Sequence, residues 1–266
     1  MRRRLDTELV RRGLVSSRAR ALELIATGRV TVAGAPARSA ARQVDGAEAV
    51  AVMAAANEYV SRGGHKLSAA LAAFAIDATG RRALDAGASS GGFTDCLLQA
   101  GAAEVVAVDV GRGQLAWALR QDARVTVVER TNLRDLHARA LGTPFDLVVV
   151  DLSFISLRLV AGNLLELATA DADFVMLVKP QFEAGRERVG KGGIVRDAAV
   201  HRAVLGDVVA GLDAAGLGIG AVMPSPLLGA SGNAEFLALA SRGPATVTGE
   251  ALDVAVASVP SRSGPE

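Results

Sequence analysis

The sequence predicts an α/β fold preceded by a small α+β domain, and three observations support this prediction. Residues 83–109 follow the pattern of strand, glycine-rich turn, helix and strand. Short apolar runs at 125–128, 145–150 and 174–178 predict further buried strands, separated by segments with helical spacing. Residues 1–56 differ, because they combine short helical patterns, alternating valines and many arginines. The chain has 266 residues, which is enough for both domains.

The small domain, residues 1–56, is predicted to hold two short helices and a hairpin. Leu5 and Leu9 mark the first helix, which Gly13 should end. A serine at position 16 or 17 can cap the second helix. The residues of the second helix that should face inward are Ala21, Leu22 and Ile25. The predicted strands are 30–32 and 50–52.

Arginine dominates the start of the chain. Residues 1–20 hold seven arginines against Asp6 and Glu8, although the formal net charge of the whole chain is only +1. Arginine binds phosphate oxygens in a bidentate manner, so this face is predicted to bind RNA through its backbone. No aromatic residue precedes Tyr59, which argues against recognition by base stacking. The alternative is an ordinary solvated face.

The composition excludes several kinds of protein. A single cysteine, Cys96, excludes a disulfide framework and a cysteine-based zinc site, and the three histidines lack ligand spacing, so no metal is predicted. No apolar run is long enough to span a membrane. The basic N-terminus lacks the apolar segment of a secretory signal. A cytoplasmic protein is therefore expected, and the oligomeric state is not predicted.

The glycine-rich turn has the form of a ligand-binding loop. Asp85 closes the first strand, and Gly87, Gly91 and Gly92 let the backbone turn sharply. The spacing is neither GxGxxG nor a phosphate-binding P-loop, and it matches the form used for S-adenosylmethionine. Asp109 ends the next strand about 22 residues after Gly87, where a carboxylate binds ribose hydroxyls. The alternative is a turn that serves packing alone.

Charged residues end two further predicted strands. Asp151 follows 145–150, and Lys179 follows 174–178. Parallel strands end at one edge of a sheet, so these side chains are expected to lie together. A lysine beside a carboxylate can orient a ribose 2′-hydroxyl and accept its proton. Because a carboxylate tends to raise a lysine pKa, the balance between the two roles stays open.

Three other polar residues are candidates for the same site. Asn132 follows the third predicted strand and could reach an adenine edge or its ribose. Lys66 is predicted at the start of a helix that begins at His65 or Lys66, after a Gly63–Gly64 turn. The N-terminus of a helix is an unfavourable place for a cation. A surface lysine is an equal alternative. Glu235 enters an apolar strand, which is costly unless it is paired.

The stretch RLDTELVRRGLVSSRARALELIATGRVTVAG, within the first 50 residues, resembles the RNA-binding module of ribosomal protein S4. That family places an arginine-rich helical face on structured RNA. The resemblance therefore implies RNA contacts by this domain. The candidate residues are Arg3, Arg11, Arg12, Arg18 and Arg20.

Six motifs follow in order along the chain: SRGGHKL, LDAGASSGGFTD, DLSFISL, VKPQFEAGR, VGKGGIVRD and SGNAEF. With the first domain, they resemble the TlyA-type ribosomal RNA 2′-O-methyltransferases, whose catalytic domain is similar to the FtsJ/RrmJ class. The resemblance implies a Rossmann-like S-adenosylmethionine methyltransferase fold with a mixed seven-stranded sheet over residues 62–242. It implies S-adenosylmethionine as donor and a cytidine 2′-hydroxyl of large-subunit ribosomal RNA as acceptor. Whether small-subunit ribosomal RNA is a second substrate is left open by the resemblance.

The resemblance also assigns roles to residues. The catalytic tetrad of the family falls on Lys66, Asp151, Lys179 and Glu235. The donor-binding positions fall on Gly87, Ala88, Ser89, Gly91, Gly92, Phe93, Asp109 and Asn132, with Asp151 shared.

The sequence departs from the family pattern in two places. Within the linker, residues 57–61, positions 57–60 read Asn-Glu-Tyr-Val where members have Arg-x-Trp-Val, which puts in doubt a coupling between RNA docking and donor binding. Residues 243–266, rich in serine, proline and glycine, have no counterpart and are predicted to be disordered.

Two functions outside this class are kept as alternatives. Some relatives carry a haemolysin name, so a membrane-active protein is one, although no strongly amphipathic cationic helix supports it. A non-catalytic RNA-binding protein with a relic methyltransferase fold is the other, and the complete tetrad argues against it. Binding of the donor would separate the membrane-active alternative from the enzyme.

Overall fold

The computed structural model describes residues 2–15, 17–52, 59–136, 141–142 and 144–260. The chain divides into two compact units, Met1–Glu58 and Tyr59–Glu266. This division falls inside the linker predicted at 57–61, of which residues 57 and 58 lie outside the described residues. The two parts are called the N-terminal unit and the C-terminal unit below.

The N-terminal unit has two short helices and two small antiparallel sheets. Its elements in order are β1 (Arg3–Arg4), α1 (Leu5–Arg11), α2 (Arg18–Ala26), β2 (Val30–Val32), β3 (Ala35–Pro36), β4 (Gln43–Val44) and β5 (Val50–Val52). β1 pairs with β4, and β2 pairs with both β3 and β5. Leu5 and Leu9 of α1 pack with Ile25 of α2 and with the valines of β2 in one apolar core.

The predicted helices and strands of this unit are present, but one inward position is wrong. Leu22 is 48% exposed, and Leu24 is buried in its place. Ser17 caps α2 by accepting a hydrogen bond from the Arg20 backbone N–H at 3.2 Å. Ala21, Leu24 and Ile25 then share the inward face, because positions i, i+3 and i+4 of a helix align.

A seven-stranded mixed sheet forms the centre of the C-terminal unit, as predicted. Its strands are β6 (Arg82–Ala86), β7 (Glu104–Val108), β8 (Val125–Val128), β9 (Phe145–Val150), β10 (Ala168–Val178), β11 (Leu217–Pro224) and β12 (Phe236–Arg242). They lie in the order β11-β12-β10-β9-β6-β7-β8. The five neighbouring strands β10, β9, β6, β7 and β8 are parallel. β12 lies between β10 and β11 and is antiparallel to both.

Helices cover both faces of this sheet. They are α3 (Arg62–Ala73), α4 (Gly92–Gln99), α5 (Trp117–Arg120), α6 (Ala161–Leu167), α7 (Pro180–Glu183), α8 (Ala198–Ala214) and α9 (Gly249–Ala257). Alternate strand residues enter two separate apolar clusters, so Leu84 packs with α6, α8 and α9 while its neighbour Ala83 packs with α3 and α4. Burial on both faces explains why the strands are continuous apolar runs in the sequence.

The start of α3 differs from the prediction. The helix begins at Arg62, and Gly63 and Gly64 lie in its first turn where a separate turn was predicted. A Cβ atom on Gly64 would lie only 2.2 Å from Cγ of Tyr59. The glycine is therefore required because the Tyr59 ring packs directly on the helix backbone, and not because the chain must turn.

The prediction of disorder for residues 243–266 is wrong for residues 243–260. Thr248 caps α9, and the helix buries Leu252 and Ala255 against the core. Arg202 of α8 pairs with Asp253 at 2.5 Å. The buried residues Leu252 and Ala255 are small or isolated in the sequence. The flanking serine, proline and glycine residues obscured their helical spacing. Residues 261–266 lie outside the described residues.

Among the helices in the described part of the chain, none combines the length and the apolar character needed to cross a membrane.

We expect Gly64→Ala to destabilise the C-terminal unit, because the added methyl group would overlap the Tyr59 ring. Gly63→Ala is the matched control, since its nearest neighbouring atom would be 3.4 Å away and alanine is favoured over glycine in a helix by about 1 kcal/mol. Calorimetric melting should show a lower Tm for the first variant and an equal or higher Tm for the second. The cost of Gly64→Ala should disappear in a Tyr59→Gly background, which removes the ring and also the Tyr59 Cβ atom that would lie 2.3 Å from the added methyl group; an unchanged cost there would contradict the explanation.

Candidate active site

The carboxyl edge of the parallel strands surrounds a cavity of about 440 Å³. Nine of the predicted site residues line it: Lys66, Gly87, Ala88, Ser89, Gly92, Phe93, Asp151, Lys179 and Glu235. The other lining residues are Ser61, Arg62, Gly63, Ser90 and Ala230, which the prediction missed. Ser61 and Arg62 belong to the motif around Lys66, which was the available signal, whereas Ala230 carries no chemical signal in the sequence.

Asp151 and Lys179 meet at this edge, as predicted from the strand ends. β9 ends just before Asp151, whose backbone N–H donates to the Ala86 carbonyl at 2.9 Å. β10 ends just before Lys179, whose Nζ lies 2.5 Å from Oδ1 of Asp151. The same Nζ donates to Oγ of Ser153 at 3.1 Å. The ammonium group is thus fixed from two sides at the wall of the cavity.

Lys66 and Glu235 form a second ion pair in the same wall. Lys66 Nζ donates to Oε2 of Glu235, and both side chains are less than a tenth exposed. Glu235 reaches this edge because β12 is antiparallel and therefore begins where the parallel strands end. Removing both charges from water is costly, and their pairing offsets much of that cost.

The glycine-rich loop packs closely on its own surroundings. Gly87 and Gly91 have φ of +95° and +97°, which favour glycine. A Cβ atom on Gly87 would lie 2.4 Å from the carbonyl oxygen of Asp151, and one on Gly91 would lie 2.2 Å from Cδ1 of Leu119. These two glycines therefore allow close packing against the protein, and this packing holds the loop beside Asp151.

Asp109 braces the loop from the end of β7. Its Oδ2 accepts from the Ser89 backbone N–H at 2.8 Å, and its Oδ1 accepts from the Gly111 N–H at 2.6 Å. Ser89 is held at φ +48°, an uncommon conformation for serine. Ala88, Ser89 and Asp109 also line a smaller adjoining cavity with Gln114 and Leu115. Ala88 and Ser89 therefore line both the main cavity and this recess of about 10 Å³.

Asn132 lies apart from the predicted donor contacts. Its side chain caps the short 3-10 turn Leu133–Asp135 and accepts from the Arg134 N–H at 3.0 Å. It lines neither cavity. Glu129, one residue beyond β8, lines the smaller cavity instead. A donor contact by Asn132 stays a prediction. The residue directly after β8 is Glu129, so the rule that functional side chains follow strand ends favours Glu129 at this position.

Comparisons with known proteins identify both units. Residues 59–242 match the FtsJ-like methyltransferase family, and residues 3–50 match the S4 domain. Over 237 residues, 88% of each chain, the chain is 53% identical to the Mycobacterium tuberculosis protein named 16S/23S rRNA (cytidine-2′-O)-methyltransferase TlyA. The chain belongs to the TlyA-type, FtsJ-like methyltransferases.

Other relatives of this TlyA-type chain carry a different name. It is 38% identical over 236 residues to Hemolysin A of Brachyspira hyodysenteriae, which covers 88% of this chain and 98% of the relative. A solved structure of a Streptococcus thermophilus protein with a hemolysin name superimposes with a TM-score of 0.73 at 37% identity, covering 96% of this chain and 94% of that one. The predicted family and fold class are both confirmed by these comparisons.

Beneath the glycine-rich loop of this methyltransferase lies a fully buried carboxyl group. Asp85 accepts a hydrogen bond from Thr94 Oγ1 at 2.6 Å through Oδ2, and Oδ1 has no partner among the described residues. Burial is the main cause that raises the pKa of Asp85 to about 7; the Thr94 hydrogen bond opposes this shift, and the negative charge of Asp151 adds to it. Asp85 is thus poised to change protonation near neutral pH.

Cys96 lies within α4 and is buried. Burial raises the pKa of its thiol to about 12, so the thiolate is scarce at neutral pH. The buried, protonated thiol is therefore suited to packing and not to nucleophilic attack. The described residues also contain no group of three or more histidine, cysteine or acidic side chains that could hold a metal ion.

The predicted RNA-contact arginines of the S4 domain differ in their surroundings. Arg11 forms a bidentate pair with Glu8 and is half exposed. Arg18 pairs with Asp6 and is 62% exposed. Arg20 pairs with Glu23, and Arg3 lies in β1.

Arg12 is the exception among these candidates, because it is only 19% exposed. Its Nε donates to Glu8, and its Nη atoms donate to the carbonyls of Asp45, Gly46 and Glu48. Its hydrogen bonds therefore hold the 45–48 turn against α1.

The raised pKa of Asp85 predicts a pH-dependent stability. The folded state favours the protonated acid, so the stability it confers is complete below about pH 4 and is lost as the pH rises through 7. Denaturant unfolding of wild type and Asp85→Asn at several pH values should show their difference changing between about pH 4 and 7, by up to about 1.4 kcal/mol per pH unit. A constant difference across this range would refute the shift. Asp77→Asn is the control, because hydrogen bonds lower the pKa of that exposed carboxyl.

Proposed function

We propose that the chain transfers a methyl group from S-adenosylmethionine to the 2′-hydroxyl of a cytidine in ribosomal RNA. The observation that carries the proposal is the meeting of two lysine–carboxylate pairs, Lys179–Asp151 and Lys66–Glu235, in one cavity beside a glycine-rich loop. The name of the Mycobacterium tuberculosis relative supports the cytidine 2′-hydroxyl as acceptor.

The residues present fit S-adenosylmethionine as donor. The cavity of about 440 Å³ beside Ala88 and Ser89 is large enough for a small-molecule donor, and a recess of only about 10 Å³ adjoins it at Asp109. Asp109, at the end of β7, keeps carboxylate lone pairs available for ribose hydroxyls after accepting its two backbone hydrogen bonds. Gly87, Ala88, Ser89, Gly92 and Phe93 would surround the donor, with Asp151 beside it, whereas Gly91 packs on Leu119 and would act by shaping the loop. When bound, S-adenosylmethionine supplies an electrophilic methyl group.

Lys179 and Asp151 are assigned to the acceptor hydroxyl. Asp151 and Ser153 hold the Lys179 ammonium group in one position, so it can fix the direction of a 2′-oxygen entering the cavity. Because the ammonium group of Lys179 has no lone pair, the proton that leaves this hydroxyl ends on the Asp151 carboxylate, and Lys179 relays it by giving one of its own protons to Asp151 as it takes up the new one. Fixed geometry contributes as much as proton removal, because the reacting oxygen must be aligned before transfer.

Lys66 and Glu235 are assigned to positioning the acceptor nucleotide. Their pair is more deeply buried than Lys179–Asp151 but still lines the cavity. A buried pair with fixed hydrogen-bond geometry can hold a polar substrate group without reorganisation during the reaction.

The S4 domain is assigned to RNA binding through its arginines. Arg11 and Arg18 keep half or more of their side chains exposed. Arginine engages phosphate oxygens through several N–H groups at once, which positions the protein on RNA without reading its sequence. Membrane lysis, suggested by the hemolysin names of some relatives, is the competing function that the experiment must separate.

The deciding experiment is the transfer of labelled methyl groups from S-adenosylmethionine to unmodified ribosomal subunits. Wild type should label a ribose, and Lys179→Ala should reduce the rate by about 10²–10⁴-fold while still binding donor, because proton acceptance and orientation are both lost. Lys191→Ala, on the exposed 190–193 turn, is the matched control and should keep its activity.

Donor binding measured by calorimetry separates the outcomes of this experiment. Binding of the donor without labelling of either subunit would remove ribosomal RNA as the substrate. Absence of donor binding, together with lysis of lipid vesicles, would favour the membrane-active function.

The Lys66–Glu235 pair allows stability and activity to be separated. Lys66→Met should destabilise the protein by about 3–5 kcal/mol, because it leaves Glu235 buried and unpaired. Lys66→Met/Glu235→Leu should recover most of that stability, since an apolar pair of similar volume is often tolerated in place of a buried ion pair. Methyl transfer should stay lost in both variants. Recovery of methyl transfer in the double variant would show that the pair has only a structural role.

A further inference from the structure

A buried carboxylate lies beneath the arginine-rich face of the S4 domain. Asp6, in the first turn of α1, is fully buried, as is its neighbour Leu5. Burying a carboxylate costs free energy unless charged partners and hydrogen bonds compensate it. The position of Asp6 therefore requires an explanation in terms of its partners.

Two arginines share this one carboxylate. Arg4 binds it in a bidentate manner, with Nε 3.1 Å from Oδ1 and Nη2 3.1 Å from Oδ2. Arg18 donates from Nη2 to Oδ2 at 2.8 Å, and the Thr7 backbone N–H donates to Oδ1 at 2.9 Å. The hydrogen bonds from Arg4, followed by those from Arg18, hold the pKa of Asp6 well below its usual range. The cluster thus stays charged at neutral pH.

The cluster carries a net positive charge that faces solvent. Arg4 and Arg18 are 46% and 62% exposed, whereas Asp6 is not exposed at all. A guanidinium group has five N–H donors, and Asp6 occupies only two on Arg4 and one on Arg18. Several N–H donors of two adjacent guanidinium groups are thus left for an anion.

We propose that Asp6 is a positioning residue that presents Arg4 and Arg18 as a paired clamp for a phosphate of the RNA backbone. The inference rests on the proposed function, because RNA is the partner it assumes. Asp6 fixes both side chains when the domain folds, so RNA binding no longer has to order them. Arg4 was not among the RNA-contact residues predicted from the sequence. It is added because it shares Asp6 with Arg18.

The neighbouring carboxylate, Glu8, has a different role. It is also buried, and Arg11 and then Arg12 lower its pKa to about 2. Arg12 uses its other N–H groups on the carbonyls of the 45–48 turn. Glu8 therefore joins parts of the fold, and only Asp6 holds two arginines that are both largely exposed.

Charge and position give opposite expectations for Asp6→Asn. This change removes a negative charge from an RNA-binding face, so electrostatics alone would tighten RNA binding. Loss of positioning would weaken it, because both arginines must then be ordered by the RNA. The sign of the change in affinity therefore tests the proposal.

The experiment measures binding of the full-length chain to a fluorescent RNA hairpin, without methyl donor, by anisotropy at several salt concentrations. Asp6→Asn should bind about tenfold more weakly than wild type, the size expected when two arginines must be ordered on binding. Glu23→Gln is the matched control: Glu23 is 61% exposed and pairs with Arg20, so its neutralisation should leave affinity equal or higher.

A second variant keeps the test valid if Asp6→Asn does not fold. Arg4→Lys/Arg18→Lys retains Asp6 and both positive charges but removes the planar guanidinium groups, and it should also bind more weakly with an unchanged salt dependence. A folded Asp6→Asn that binds RNA equally well or more tightly would overturn the inference and leave the proposed function intact. A wild-type chain that does not bind RNA would overturn both.

Discussion

The shared end of the parallel strands is the constraint on which the catalytic unit depends. β6, β7, β9 and β10 all run in one direction, so the loops and side chains that follow them gather at one edge. The antiparallel β12 begins at this edge and adds Glu235 to it. Residues far apart in the chain meet because hydrogen-bond ladders fix the strand ends, and the loops are free to supply chemistry.

Buried charged side chains are the second recurring feature. They fix the positions of their partners, and they add little to the stability of the fold. Glu235 and Asp6 are both nearly or fully buried, and each is held by cations that define its position. Apolar side chains of similar size would stabilise such positions as well or better. Charges in these places are therefore best explained by what they orient. Asp85 differs, because it forms no ion pair within the part of the chain that the structure describes and its environment favours the neutral acid.

The sequence predicted most of the sheet and the wall of the site for a physical reason. Strands buried on both faces appear as unbroken apolar runs, and a polar residue directly after such a run lies at the sheet edge. Asp151 and Lys179 could be paired from this rule alone. The role of Glu235 as partner of Lys66 could not, because it depends on the antiparallel course of β12 and on where α3 begins.

Other features depend on contacts that no local pattern contains. Gly64 appeared to mark a turn, but its requirement comes from a tyrosine ring packed on the helix. Leu22 and Leu24 are equally apolar, and only packing against α1 and β2 shows that Leu24 is the buried one. Arg12 and Arg18 look alike in the sequence, but their different acceptors in the fold separate a structural arginine from an exposed one.

The segment after β12 has a consequence for the solubility of the fold. β11 lies at the margin of the sheet, and the N–H groups of Thr246 and Val247 both donate to the carbonyl of Ile219. Gly218 has no side chain, and the backbone at Pro244 lies against it. The chain thus covers the exposed margin with its own backbone. A protein shortened at residue 242, where the family match ends, would present an open strand able to recruit other molecules into aggregates.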